Sequence, residues 1–124
     1  MAVDFCGQDI TAISAEDMTG KRFQPVSLDE RGSIITPPVE GSACIGILQN
    51  EPCGEGKIGR VRINGVSKVV VGRNAPAGTE MSVAPNGRAL WAAKLGDHVI
   101  AILIEPTTDE IRIVRALVVH YMRA

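Results

Sequence analysis

The side chain that most often activates a nucleophile is histidine, and this chain has two, His98 and His120. Three cysteines accompany them, Cys6, Cys44 and Cys53. A thiol within reach of an imidazole could do acyl-transfer chemistry, and thiols and imidazoles together could hold zinc. The spacing favours neither. His98 follows Asp97 directly, and consecutive strand residues point to opposite faces, so the pair is no dyad. No two of these residues have metal-ligand spacing, and there is no CxxC. The odd count of cysteines reads as free thiols in a reducing compartment.

Other signatures are missing too. There is no GxSxG, HExxH, P-loop or GxGxxG, and the glycines at 54, 56 and 59 precede neither GK[ST] nor a helix. The carboxylate pairs Asp29-Glu30 and Asp109-Glu110 fall in turns, where solvated charge suffices. These residues predict no catalytic site, no cofactor and no metal, and a protein that works by contact. The competing reading is a small β-barrel enzyme or ligand-binding module that uses His98 or His120 with a cysteine.

Charge narrows the partners. Thirteen Lys and Arg against fourteen Asp and Glu give a net charge of −1, without the basic footprint that phosphate binding needs. One Trp, one Tyr and two Phe cannot line a stacking groove, so no nucleic acid is expected. No apolar run reaches membrane-spanning length, and Met1 to Phe5 has neither the basic start nor the apolar stretch of a secretory signal. With 124 residues, 45% hydrophobic and 22% charged, the chain can bury one core without a metal or disulfide.

The elements that must position these residues are short aliphatic strands. Arg22 to Leu28 ends in the turn Asp29-Glu30-Arg31-Gly32, and Ser33 to Thr36 forms a partner strand stopped by Pro37-Pro38. Cys44 to Gln49 is an apolar run, Ile58 to Ile63 alternates, and Val66 to Val71 is β-branched. The later half repeats the order: Met81 to Val83, the Asn86-Gly87 turn, Arg88 to Trp91, the run Val99 to Ile104, Ile111 to Ile113, then Leu117 to Val119.

The halves superpose at an offset of 55: Leu28 on Val83, Gly32 on Gly87, Gly41 on Gly96, Ile45 on Ile100, and Ile47-Leu48 on Ile102-Leu103. Cys44 then matches the aliphatic Val99. Past that point Val61-Arg62-Ile63 aligns with Ile111-Arg112-Ile113, an offset of 50, and Glu-Pro occurs in both intervening turns. The inward phase is expected to slip at Asn64-Gly65 and at Val114-Arg115, as a bulge would cause. One copy alone would be marginal, so the two are expected to pack face to face or close round one axis. The fold class is all-β, a small β-barrel or β-sandwich with internal pseudo-two-fold duplication. The predicted layout is an N-terminal arm, residues 1–17, and one β domain, 18–124, with copies at about 18–72 and 73–124. The arm, in which Ile10, Ile13 and Met18 could form a weak helical stripe, is either a frayed terminus or a segment that orders on a partner through Phe5, Ile10 and Ile13.

The stretch from Gly41 to Ile63, with Ala43-Cys44-Ile45-Gly46-Ile47-Leu48-Gln49-Asn50-Glu51-Pro52, resembles the capsid cement (head decoration) proteins of tailed phages. Asn64-Gly65-Val66-Ser67-Lys68-Val69 resembles their next strand, and Ala77-Gly78-Thr79, Asn86-Gly87-Arg88-Ala89 and Gly96 to Leu103 resemble later segments. The likeness spans about residues 20 to 120. Ala101 stands where a glycine is common, and the end His120-Tyr121-Met122-Arg123 departs from the pattern.

The resemblance implies a virion component on the capsid exterior, made in the host cytoplasm. Its partner would be the major capsid protein, and it would bridge neighbouring capsomers as a homotrimer. Another structural phage subunit, in tail or baseplate, is the nearest alternative. The contact residues expected on this reading are Phe5, Ile10, Ile13, Val69, Val71, Val118 and Tyr121.

Overall fold

The computed structural model describes residues 7–109 and 112–123, and every regular element among them is a strand. In chain order these are β1 (Gly7–Ile13), β2 (Pro25–Leu28), β3 (Ile34–Ile35), β4 (Gly46–Leu48), β5 (Ile58–Val70), β6 (Glu80–Val83), β7 (Leu90–Ala92), β8 (His98–Leu103) and β9 (Ile113–Met122). The protein is all-β, and its strands curl into small barrels.

The expected strands at Ile58 to Ile63 and Val66 to Val71 are one strand. β5 keeps its odd-numbered residues inward throughout, from Gly59 and Val61 to Ser67 and Val69, so no phase slips at Asn64-Gly65. Gly65 supplies the left-handed backbone there, at φ +87°. The irregularity falls on the neighbour instead: β1 skips a register between Gln8 and Asp9 as it passes Asn64 and Arg62. No slip occurs at Val114-Arg115 either, since Val114, Ala116 and Val118 all face inward.

The strand order is β3-β2-β4-β5-β9-β8-β6-β7, with β1 also on β5. Exchange of β2 to β5 with β6 to β9 leaves that order unchanged when read from the other end, which is the arrangement duplication predicts. Hydrogen bonds repeat with it. Phe23 N–H donates to the Leu48 carbonyl at 2.7 Å, and Gly78 donates to Leu103 at 2.7 Å. Leu48 donates to Gln24 at 3.0 Å, and Leu103 to Thr79 at 3.1 Å.

The expected drop to an offset of 50 is corrected by the ladder. Ile47 pairs with Arg62 and Leu48 with Val61, while Ile102 pairs with Leu117 and Leu103 with Ala116. The offset stays at 55 into the last strand, so the intervening turns are equal in length. Val61 matches Ala116, and Arg62 matches Leu117.

Nor are residues 7 to 14 an arm or a helix. β1 pairs antiparallel with the first half of β5, Ile13 facing Ile58 and Ile10 facing Val61. The second half of β5 pairs with β9 in the same way, Val70 facing Ile113 and Ser67 facing Ala116. Each of these strands ends in a parallel bridge, Ser14 to Ile34 and Val71 to Leu90. β1 is therefore the first strand of the first repeat, and the second half of β5 is its counterpart in the second. Among the described residues the repeats run from Gly7 to about 63 and from about 64 to Arg123. Instead of closing round one axis, each copy closes on itself, and β5 is common to both rings.

Two cores result. Met18, Val26, Ile34, Leu48 and Val61 fill the first, with Ile10, Ala12, Ile45 and Ile63 packed against them. The second is larger, holding Val69, Val71, Met81, Val83, Leu90, Ile100, Leu103 and their neighbours. Ile47, which points the opposite way from Leu48, joins this second core, and Phe23 packs against it. β4 is thus covered on both faces, as its unbroken apolar run requires.

Candidate contact surface

The residues expected to meet a partner do not form one exposed surface among the described residues. Val69, Val71 and Val118 are 0%, 2% and 3% exposed, so their side chains belong to the second core and cannot reach another molecule. Strand phase decides this: on β5 the outward residues are the even-numbered ones. Ile10 packs on the first core, while Ile13 at the end of β1 is 53% exposed. Tyr121 is half exposed and donates its hydroxyl to the Glu80 carboxylate, which holds its pKa above the usual phenol value. Phe5 lies outside the described residues, as does Cys6.

His98, His120 and Cys44 do come together, with Ala43, Val99, Ile100, Tyr121 and Met122, around a groove of about 220 Å³. Its chemistry is poor for nucleophilic attack. Burial pushes the Cys44 thiol up to about 12, so at neutral pH it stays protonated. His120 Nε2 lies 2.8 Å from the Ile63 carbonyl, to which it donates, and the ring ties β9 to β5 where their ladder ends. Cys53 is exposed, away from this groove. No cluster of His, Cys, Asp or Glu among the described residues has the arrangement of a metal site.

The outward residues of the central strands form a more extensive feature. Across the second barrel run Val66, Leu117 and Ile102, facing one another on β5, β9 and β8. Beside that row stand Lys68 and Arg115, with Ile104 following on β8, and then Val70 and Ile113. Leu117, Ile104 and Ile113 are 41%, 43% and 50% exposed. Exposed aliphatics on β9 and just past β8, with the partly buried Val66, Val70 and Ile102 beside them, make an apolar strip crossed by one cationic row, the composition of a contact patch.

Apart from Ile47, which is buried and matches Ile102, most of the same positions in the first barrel are polar. Asp9 faces Arg62 there, with Nε 2.7 Å from the carboxylate, and Arg60 closes on the other oxygen at 3.3 Å. Only the last pair, Ile13 and Ile58, remains apolar and exposed. Sequence reading missed this surface because it looked for β-branched runs. The useful signal is the alternation within those runs, which sends Val69 and Val71 inward and Val66, Lys68 and Val70 outward.

No protein-family model matches the chain, and no curated protein does. A solved structure does match: the head fiber gp8.5 N base of bacteriophage phi29 has TM-score 0.63 and 12% identity, over 94% of this chain and 98% of that one. The two share a fold. At that identity the likeness lies in the strand framework, and the outward residues differ freely between such chains. The apolar strip and the ion-paired face are thus described from this chain's own residues.

Proposed function

We propose that this chain is a structural component of a phage head, one that binds the outer surface of an assembled capsid and stabilises it by bridging neighbouring capsomers. The observation that carries this reading is the end-to-end fold likeness to a phage head fiber base. The sequence resemblance to cement proteins supports it independently, and so does the apolar strip on the second barrel. The mechanism is mass action: a protein that binds the assembled shell and not its free subunits shifts the equilibrium toward the shell. Many symmetry-related copies add avidity. Leu117, Ile104 and Ile113 supply the apolar contact, and Lys68 and Arg115 fix its orientation. The partner is the major capsid protein, and the assembled form is a homotrimer.

Cosedimentation tests the reading. The chain should pellet with expanded shells and stay in the supernatant with free shell subunits, and light scattering should give three times the monomer mass. Leu117→Asp should abolish pelleting while leaving the circular dichroism spectrum unchanged. A chain that remains monomeric and does not bind shells would refute the proposal.

A further inference from the structure

The two barrels share one framework, yet the first carries a feature the second lacks. Arg22, Phe23, Gln49, Arg60, Arg62 and Lys68 line a cleft of about 230 Å³. The equivalents of the first five in the second repeat are Ala77, Gly78, Ile104, Arg115 and Leu117. The ladder around those residues is the same, so the fold requires neither the concentration of cations nor the ring.

Phe23 makes the point most directly. Its φ is +65°, the only positive value at a non-glycine among the described residues, and the equivalent Gly78 has +86°. The backbone cannot relax, because its N–H donates to Leu48 at 2.7 Å and its carbonyl accepts from Val70 at 3.0 Å. A left-handed aromatic residue is strained, and such strain concentrates at functional positions. Here it sets the ring among cations, with Arg22 Cζ 4.7 Å and Lys68 Nζ 5.9 Å from the centroid.

The cations are also pre-positioned. Arg22 Nε donates to the Gln49 carbonyl at 3.0 Å. Arg62, only 12% exposed, is held by Asp9 and donates Nη1 to the Val66 carbonyl at 2.8 Å. Asp9 also serves Arg60, at 3.3 Å. Glu105, paired to Arg115 at 3.2 Å, is also close enough to be attracted by Lys68. In a chain of net charge −1 this is a local concentration of positive charge around one aromatic ring.

We infer that this cleft receives an acidic segment of a protein partner, a Glu or Asp flanked by an apolar residue. The carboxylate meets Arg22, Arg60 and Lys68, and the apolar neighbour lies on the Phe23 ring. A nucleic acid would need a longer basic track and further stacking rings, whereas this cleft has one ring, Phe23, among its lining residues and borders the apolar strip through Lys68. The inference goes beyond shell binding and holds whatever the partner is.

The test uses the whole isotope-labelled chain and a capped six-residue peptide with two adjacent glutamates between leucines. Amide shifts should move at Phe23, Arg60 and Lys68. Affinity should fall about tenfold when the glutamates become glutamines, and again in Arg22→Gln or Lys68→Gln, both exposed positions. Phe23→Gly, the residue the repeat itself uses, should keep the spectrum of a folded chain and weaken binding. Equal affinity for the glutamine peptide, shifts confined to other residues, or tighter binding of a short oligonucleotide or inorganic phosphate would overturn the inference.

Discussion

Removal of residues 1 to 14 tests the assignment of β1 to the first barrel. Seven residue pairs join β1 to β5, and Ser14 adds the bridge to Ile34 that closes the ring. Ladder hydrogen bonds contribute about 1 kcal/mol each net, which the ordering of the strand's backbone largely offsets, at roughly 1–2 kcal/mol per residue. The surplus comes from burial. Ile10 and Ala12 leave the first core, and the faces of Val61, Leu48 and Ile34 that they cover are wetted. Two side chains and the surface beneath them amount to about 4 kcal/mol at 25 cal/mol per Å² of apolar area. Against a typical total of about 5–15 kcal/mol that loss is severe. With a urea slope of about 2 kcal/mol per molar, the midpoint should fall by about 2 M. Urea titration followed by circular dichroism checks this, and Trp91 fluorescence reports the second barrel separately. A free arm would leave the midpoint unmoved; that result would refute the assignment of β1.

Three further outcomes follow from single residues. Gly46→Ala should destabilise the chain by about 3 kcal/mol in the same titration, because a Cβ there would stand 2.1 Å from the Arg62 carbonyl oxygen, on backbone that cannot yield. Its counterpart Ala101 is accommodated where the β8 register shifts. Alkylation with iodoacetamide at pH 8, mapped by mass spectrometry, should label Cys53 and spare Cys44, whose thiol is buried and pushed up to about 12. Glu16 is partly desolvated, which raises its pKa. Hydrogen bonds from the Thr36 N–H and hydroxyl, at 2.9 and 2.8 Å, with Lys21 nearby, outweigh that and hold it below its usual value. A depressed carboxyl stabilises above its unfolded pKa and loses that contribution as pH falls through its folded one. Glu16→Gln should therefore be less stable than the native chain at pH 7, and the difference should shrink as pH falls below the usual glutamate value and vanish once it is below the lowered folded one, as urea midpoints across pH will show.

The repeat was legible because its glycines perform backbone roles that few other residues can. Gly32 and Gly87 have φ of +78° and +71°, and Gly41 and Gly96 have +69° and +85°. β1 was hidden by its composition: Gly7-Gln8-Asp9-Ile10-Thr11-Ala12-Ile13 turns only Ile10 and Ala12 inward, too little to give a period-two signal. The last strand was misaligned for a related reason. Ala116 replaces Val61 and Leu117 replaces Arg62, so hydropathy matched Val61 to Ile63 with the wrong stretch of the second copy. Val69, Val71 and Val118 were given the wrong face through strand phase, and the basic cleft was invisible. Arg22, Arg60, Arg62 and Lys68 come from two segments that are brought together only by the ladder and by the left-handed turn at Phe23.

β5 is the last strand of one ring and the first of the next, thirteen residues without a break. A tug between the barrels would load that strand along its length. Its partners β1 and β9 both run antiparallel beside it, so their hydrogen bonds would be stressed in shear and would have to break together, not one after another as in a peeled hairpin. Neither barrel can come away while the other holds. Such a joint resists stretching far better than a flexible tether of the same length, which suits a brace.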